Sequence, residues 1–354
     1  MSMALLGGWK HQGPAACQTL HMRAMRLGQP RPINDDPLEL IELPNLEPGP
    51  FELSIDVSAC AVCRTDLQIV EGELEAERLP IIPGHQIVGR VAAIGAGVSG
   101  WSVGDRACVG WMAGTCGDCP FCVAGRENLC PYARFTGWSR DGGFAEQVNV
   151  RADFAFPVIT ERPDEEIAPL LCGGVIGYRS LKVSGIEPGG RLGLFGFGAS
   201  ASLAIQVAVH WGCEVYVFTR SESERERALQ LGAVWAGGYG ESAPEMLEAA
   251  VTFAPVGSVV VQALQAVDRG AVVAINAIHL DEVPAFDYNH LWLERQIRSV
   301  ANYTRTDAVE FLQMAAEIPI DTTIEGFRIT EANGALAALK RGDNPGAGVL
   351  LIGD

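Results

Sequence analysis

Positive charge is what this sequence has least of. Its 26 Lys and Arg face 43 Asp and Glu over 354 residues, a formal net charge of −17 at pH 7. A surface this acidic repels phosphate backbones and anionic lipid, which argues against nucleic acid and membrane surfaces as partners. Long apolar runs are also missing: none approaches the ~18–20 residues that a membrane-spanning helix requires. The opening stretch MSMALLGGWKHQGPAACQTL lacks the basic start and apolar centre of a secretory signal. It is expected to be a short extension ahead of the first strand, and the expected location is the cytoplasm. No internal repeat and no low-complexity tract interrupts the chain, so repeat architectures are excluded.

What is present suits a globular protein of about two domains, with 48% hydrophobic and 19% charged residues. The first half is rich in β-type runs, such as Phe51–Val57, Gln86–Ile94 and Phe144–Val150, broken by turn residues like Pro83-Gly84. From about Pro163 strands and helices alternate. Strands are expected at Arg191–Phe195 and Glu214–Phe218, with helices at Ser200–Trp211 and Ser223–Leu231. Further strands are expected at Val251–Phe253, Ala271–Ile275 and Ile297–Val300. This alternation predicts βαβ units and a parallel sheet. Two short helices should follow, N-capped by the hydroxyls of Thr306 and Thr330. Val349–Ile352 is strand-like.

Ten cysteines invite a disulfide reading, but a chain of this length does not need such staples. Four of them, Cys116, Cys119, Cys122 and Cys130, are spaced C-x2-C-x2-C-x7-C. Thiolates this close converge on one Zn²⁺ without help from distant chain, and four sulfurs close its shell to substrate. A structural zinc clamping a poorly cored excursion is therefore expected. The rival iron–sulfur pattern has three residues in its last gap, not seven, and no second cluster motif is present. Free or paired thiols are the remaining alternative.

RLGLFGFGASA at Arg191–Ala201 places Gly196, Gly198 and Ala201 as G-x-G-x-x-G/A between a strand and a helix. That pattern allows a tight turn, close approach of a pyrophosphate to the backbone, and close helix–strand packing. The next strand ends in Thr219-Arg220-Ser221, with no acidic residue to bind a ribose 2′-hydroxyl. Two hydroxyls flanking an arginine suit a 2′-phosphate, so NADP(H) is favoured, with NAD(H) possible.

Cys63, His85 and Cys172 each have a bland reading when taken singly. They lie, however, within CRTDL, GHQIVGRV and PLLCGGVIGYRSL, in order with GDR at 104–106, the cysteine lobe and DGGFAEQ at 141–147. Through these pieces the chain, from about Met22 onward, resembles the medium-chain zinc-dependent alcohol dehydrogenases. The resemblance implies an α/β two-domain fold. A mostly β, GroES-like catalytic domain over 1–165 would carry the structural-zinc lobe at 115–131. A Rossmann doubly wound domain would span 166–302, with a return to the catalytic domain over 303–354.

By the same resemblance, Cys63, His85 and Cys172 bind a catalytic zinc whose open position takes a water or substrate oxygen. Two zinc ions per chain follow. The activity implied is reversible hydride transfer between a primary alcohol or aldehyde and NAD(P)(H). Thr65 is expected to pass on the alcohol proton, Asp66 to orient His85, and Arg64 to reach the pyrophosphate. Trp111 resembles an aromatic wall of the substrate cleft, favouring slim substrates. Three positions depart from the pattern: Gln86 replaces a Glu, Gln68 replaces a relay His, and Ala347 replaces a phosphate-binding Arg. Relatives form dimers or tetramers, so a homo-oligomer is expected. A polyol or aromatic-aldehyde reductase of the same family, and a non-catalytic nucleotide or redox sensor, are the alternatives.

Overall fold

A computed structural model describes residues 21–343 and 346–353; the expected N-terminal extension lies outside the described residues. The described chain opens with an antiparallel pair, β1 (His21–Leu27) and β2 (Leu38–Pro44). β3 (Glu52–Ala61) follows, and helix α1 (Arg64–Glu71) starts three residues beyond its end. Next come β4 (Ile87–Ile94) and β5 (Arg106–Val109). β6 (Met112–Gly114) pairs with β7 (Arg134–Phe135), and the short helix α2 (Pro120–Val123) lies in the excursion between them. β8 (Gln147–Arg151), β9 (Ala155–Pro157) and α3 (Asp164–Ile167) lead to α4 (Gly173–Ser184), which begins directly after Cys172.

The alternating half comprises β10 (Arg191–Phe195), α5 (Ala199–His210), β11 (Glu214–Phe218), α6 (Glu222–Gln230) and β12 (Trp235–Gly237). It continues through β13 (Leu247–Thr252), α7 (Gly257–Ala266), β14 (Val267–Ile275) and β15 (Gln296–Ser299). The chain closes with α8 (Arg305–Glu317), β16 (Ile324–Arg328), α9 (Ala332–Arg341) and β17 (Ala347–Leu351).

Two large sheets result. The first runs β16-β17-β3-β4-β5-β9, with β8 also on β3, and so combines the beginning and the end of the chain. The second runs β12-β11-β10-β13-β14-β15, with every neighbouring pair parallel. Its order reverses between β10 and β13, which leaves a crevice outside the carboxyl ends of those strands. Covered on both faces, its strands read as nearly continuous apolar runs: Leu192, Leu194, Val215, Val217 and Val251 are all fully buried. One buried cluster passes from Ala59 and Val88 in the first sheet, through Val175 and Tyr178 of α4, to Leu192 and Val217 in the second. α4 is thus the shared wall of the two halves. No helix among the described residues is long and apolar enough to cross a membrane.

Element boundaries differ from the sequence expectations where distant partners intervene. Phe144–Val150 does not act as one strand. Residues 144–146 bond to β1 through Met25 N–H to Phe144 O and Glu146 N–H to Arg23 O; Glu146 O also accepts from Val57 N–H of β3, and from Gln147 the chain runs along β3 as β8. Thr306 lies inside α8, whose N-cap is Thr304: its hydroxyl accepts from Asp307 N–H, and Asp307 bonds back to Thr304 N–H in a capping box. Thr330 lies in a 3₁₀ turn, and Glu331 precedes α9. Asp307 also joins α8 to α4, pairing with Arg179 at 2.6 Å and Lys182 at 3.0 Å.

Candidate active site

Cys63 is the N-cap of α1, in extended backbone at φ −129° and ψ 160°. One carboxylate arranges its surroundings. Asp66, completely buried, accepts from the Cys63 backbone N–H at 2.9 Å and from Gly84 N–H at 3.1 Å. Its Oδ1 also lies 2.9 Å from Nδ1 of His85. Gly84, at φ +97°, forms the turn that delivers His85; a Cβ there would strike the Phe144 ring at 2.4 Å. With Nδ1 engaged by Asp66, the imidazole keeps Nε2 for a further partner.

Cys172 arrives from the opposite side as the N-cap of α4, and its sulfur lies 3.8 Å from that of Cys63. Two sulfurs ~2.3 Å from one tetrahedral ion would stand about 3.8 Å apart, whereas a disulfide needs about 2.05 Å. Cys63, His85 and Cys172 together offer three ligand atoms within 4.8 Å of one another. Two thiolates and a neutral imidazole balance a divalent cation, so the donor set fits zinc with one position left open.

Burial alone would lower the His85 pKa, but the Asp66 carboxylate and the Cys63 sulfur raise it to about 10. A hydrogen bond from Cys172 holds the Cys63 thiol well below its ordinary value against the effect of burial, and His85 assists. Cys172 is pushed well above.

Thr65 and Gln86 are both buried. The Thr65 hydroxyl is 3.9 Å from the Cys63 sulfur. The Gln86 amide donates to Ala61 O at 3.2 Å, a bond that a carboxylate in its place could not make. Trp111 stands edge-on to His85, ring centroids 5.0 Å apart, and stacks on Phe135 at 5.0 Å and Trp138 at 6.0 Å. Phe135 and Trp138 reach Trp111 through the pairing of β6 with β7, a contact that sequence spacing does not show.

The second donor cluster is Cys116, Cys119, Cys122 and Cys130, again within 4.8 Å. Cys119 caps α2, its sulfur accepting from Cys122 N–H at 3.5 Å. None of the residues of α2 is buried, so the lobe has little apolar material of its own. It is tied to the body by Glu127, which accepts from Arg305 N–H at 2.9 Å, and by Asn128, which donates to Ala301 O at 2.8 Å. Four thiolates suit a closed tetrahedral zinc shell.

Gly196 and Gly198 form the turn from β10 to α5. Gly196 adopts φ +92°, and a Cβ there would meet Ala254 N at 2.8 Å. Gly198 is the N-cap of α5, and a Cβ on it would meet nothing within 4 Å, so its backbone faces open space. The fully buried Ala201 packs the helix on the sheet. These glycines line a cleft of about 380 Å³ that continues to Thr219, Arg220, Ser221, Glu224 and Tyr239. An exposed glycine backbone at a helix N-terminus fits a dinucleotide pyrophosphate. Gly173, next to Cys172, packs on Ser200 at the start of α5, and a Cβ there would lie 3.5 Å from Ser200 Oγ. The cysteine–histidine site and the cleft are therefore neighbours. Arg64 is exposed at the start of α1. Ala347 begins β17, opposite Ile324 of β16.

Comparison with known proteins accounts for both halves. Residues 49–160 match the alcohol dehydrogenase GroES-like domain, and residues 201–317 match the zinc-binding dehydrogenase family. A probable alcohol dehydrogenase AdhA of Mycobacterium tuberculosis is 46% identical over 340 residues, covering 94% of this chain and 98% of its own. An alcohol dehydrogenase of Geobacillus stearothermophilus is 32% identical, covering 88% and 94%. Among solved structures, a cinnamyl alcohol dehydrogenase from Sorghum bicolor superposes with a TM-score of 0.84 at 25% identity, covering 94% and 98%. CAD from Helicobacter pylori complexed with NADP(H) shares the fold, with a TM-score of 0.83 at 23% identity over 94% and 98%. The chain belongs to the zinc-dependent medium-chain alcohol dehydrogenases, oxidoreductases that pair a GroES-like catalytic domain with a Rossmann-type cofactor domain.

Proposed function

We propose that the protein interconverts a primary alcohol and its aldehyde at Cys63, His85 and Cys172. It would carry two zinc ions per chain and exchange hydride with NADP(H) in preference to NAD(H). The observation that carries this reading is the 3.8 Å Cys63–Cys172 pair, one residue from the packing of Gly173 against the start of α5. When bound, zinc supplies Lewis-acid polarisation of the substrate oxygen and the nicotinamide carries the hydride.

The chain's own groups do the rest. Asp66 holds Cys63, Gly84 and His85 in one geometry and keeps a proton on Nδ1 of the imidazole. Thr65, beside the Cys63 sulfur, accepts the substrate hydroxyl proton; with Gln68 at the relay position, that proton leaves through water. Trp111, Phe135 and Trp138 exclude water from one side and favour slim substrates. Arg220 supports the preference for a 2′-phosphate, and Arg64 serves the pyrophosphate.

We place the domain boundaries at 165/166 and 302/303, and the work of the protein in the cytoplasm, where its thiols stay reduced. A homo-oligomer, dimer or tetramer, is supported by the exposed edge of the parallel sheet at β15. In the segment that leads into β15, Tyr288 and Trp292 are 64% and 54% exposed.

The test is a kinetic screen of straight-chain and aromatic aldehydes with NADPH and NADH. Turnover of slim primary aldehydes is expected, faster with NADPH. Cys63→Ser or Cys172→Ser should abolish turnover, remove one of two zinc ions and leave nucleotide binding intact. NADPH binding by the zinc-loaded protein without turnover of any aldehyde would make it a sensor rather than an enzyme.

A further inference from the structure

The cleft beyond β11 is lined by a carboxylate as well as by Arg220. Glu224 stands in the first turn of α6 and lines the same cleft as Gly196, Gly198 and Arg220. The Thr219 hydroxyl, buried at the end of β11, donates its only proton to Glu224 Oε2. The Ser221 hydroxyl accepts from Glu224 N–H at 3.3 Å as the helix N-cap, and it lies 2.8 Å from the Ser223 hydroxyl. The Thr219 proton is thus committed to the protein, and the Ser221 oxygen is engaged by the helix cap. Arg220, exposed at the lip, is the remaining attraction for a phosphate, and Glu224 opposes it.

In this fold the residues just past the second strand meet the adenosine ribose. A carboxylate there accepts a hydrogen bond from a free 2′-hydroxyl, whereas a phosphate monoester brings ~1.5–2 negative charges against it. Here the acidic group comes from the following helix turn rather than from the strand end, and Thr219 anchors it.

We propose that Glu224 moderates the preference for the 2′-phosphorylated dinucleotide that Arg220 confers, by repelling the phosphate and accepting a hydrogen bond from an unphosphorylated ribose. This deepens, and rests on, the reading of the cleft as a nicotinamide dinucleotide site.

Glu224→Gln tests it, because the amide oxygen can still accept from Thr219 while the charge is removed. Dissociation constants of NADPH and NADH, read by the fluorescence of the reduced nicotinamide, are compared for the holoenzyme and the variant. NADPH is expected to bind about tenfold more tightly, a change of about 1.4 kcal/mol, and NADH several-fold more weakly. Glu224→Ala, which cannot accept from Thr219, should shift the ratio in the same direction. Arg220→Gln should weaken NADPH while sparing NADH. A ratio of the two constants unchanged in both Glu224 variants overturns the assignment of Glu224 while leaving the dehydrogenase reading in place. Failure of the unaltered protein to bind either nucleotide overturns that reading and this inference with it.

Discussion

Asp307 shows, at the scale of single residues, how a buried carboxylate is kept ionised by the chain itself. Burial raises its pKa, but the Thr304 backbone and hydroxyl, Lys182 and Arg179 outweigh that and hold it below the usual carboxylate value. A depressed folded-state pKa contributes stability that is present above the unfolded value and lost as pH falls through the folded one. Asp307→Asn should therefore destabilise the protein by about 2 kcal/mol at pH 7. The difference should shrink as pH falls below about 4, the range of an unperturbed aspartate. Urea unfolding at several pH values checks this; a gap constant with pH would mean that shape, not charge, is what Asp307 supplies. Asp66 is the contrasting case. It sits beside two prospective metal ligands and spends its acceptor capacity on three donors, Cys63 N–H, Gly84 N–H and the His85 ring.

At the scale of elements, the lobe between β6 and β7 is the part that cannot stand on apolar burial. Phe121 and Val123 of α2 are exposed, and Val123 is 76% accessible. The lobe's four cysteines lie together, and bonds from Glu127 and Asn128 to residues 301, 302 and 305 tie it to the body. Cys119→Ser should remove one zinc ion per chain and lower the thermal midpoint by several degrees, while NADPH affinity stays within twofold of the parent (about 0.4 kcal/mol). Metal analysis with calorimetry decides it; an unchanged midpoint with zinc lost would refute a clamping role. α4 is the complementary element. Its N-cap is Cys172, its flank meets α5 at Gly177, and its last turns meet Asp307, so a single helix relates Cys172, the helix beside the glycine cleft and the return segment.

For the whole molecule, the sheets divide the labour. The parallel sheet ends at β15, and Tyr288 and Trp292 are exposed in the segment leading into that strand. Trp292→Asp is expected to lower the mass in solution from an oligomer to a monomer, measured by light scattering at fixed concentration. An unchanged mass would move the interface elsewhere. The first sheet is closed by the end of the chain: β17 lies against β3 with Leu350 opposite Cys60, and Gly348 O accepts from Val62 N–H at 2.9 Å. The backbone immediately before Cys63 is therefore held by residues nearly three hundred positions later.

Read alone, the sequence determined whatever depends on neighbours along the chain. The four-cysteine spacing, the glycine turn after β10 and the alternation of strand and helix are local, because a few bonds suffice to bring those groups together. The three-residue site was legible only through resemblance, since Cys63 and Cys172 are 109 residues apart and spacing carries no information about their approach. Tertiary structure alone decided that Asp66 joins the segments carrying Cys63 and His85 and that Phe135 and Trp138 stack on Trp111. It also put Thr304 rather than Thr306 at the head of α8. The hydroxyls of Thr219 and Ser221 looked free to receive a phosphate in the sequence. In the fold one is given to Glu224 and the other to the helix cap, because the turn into α6 brings that carboxylate and its own N–H back onto the strand end.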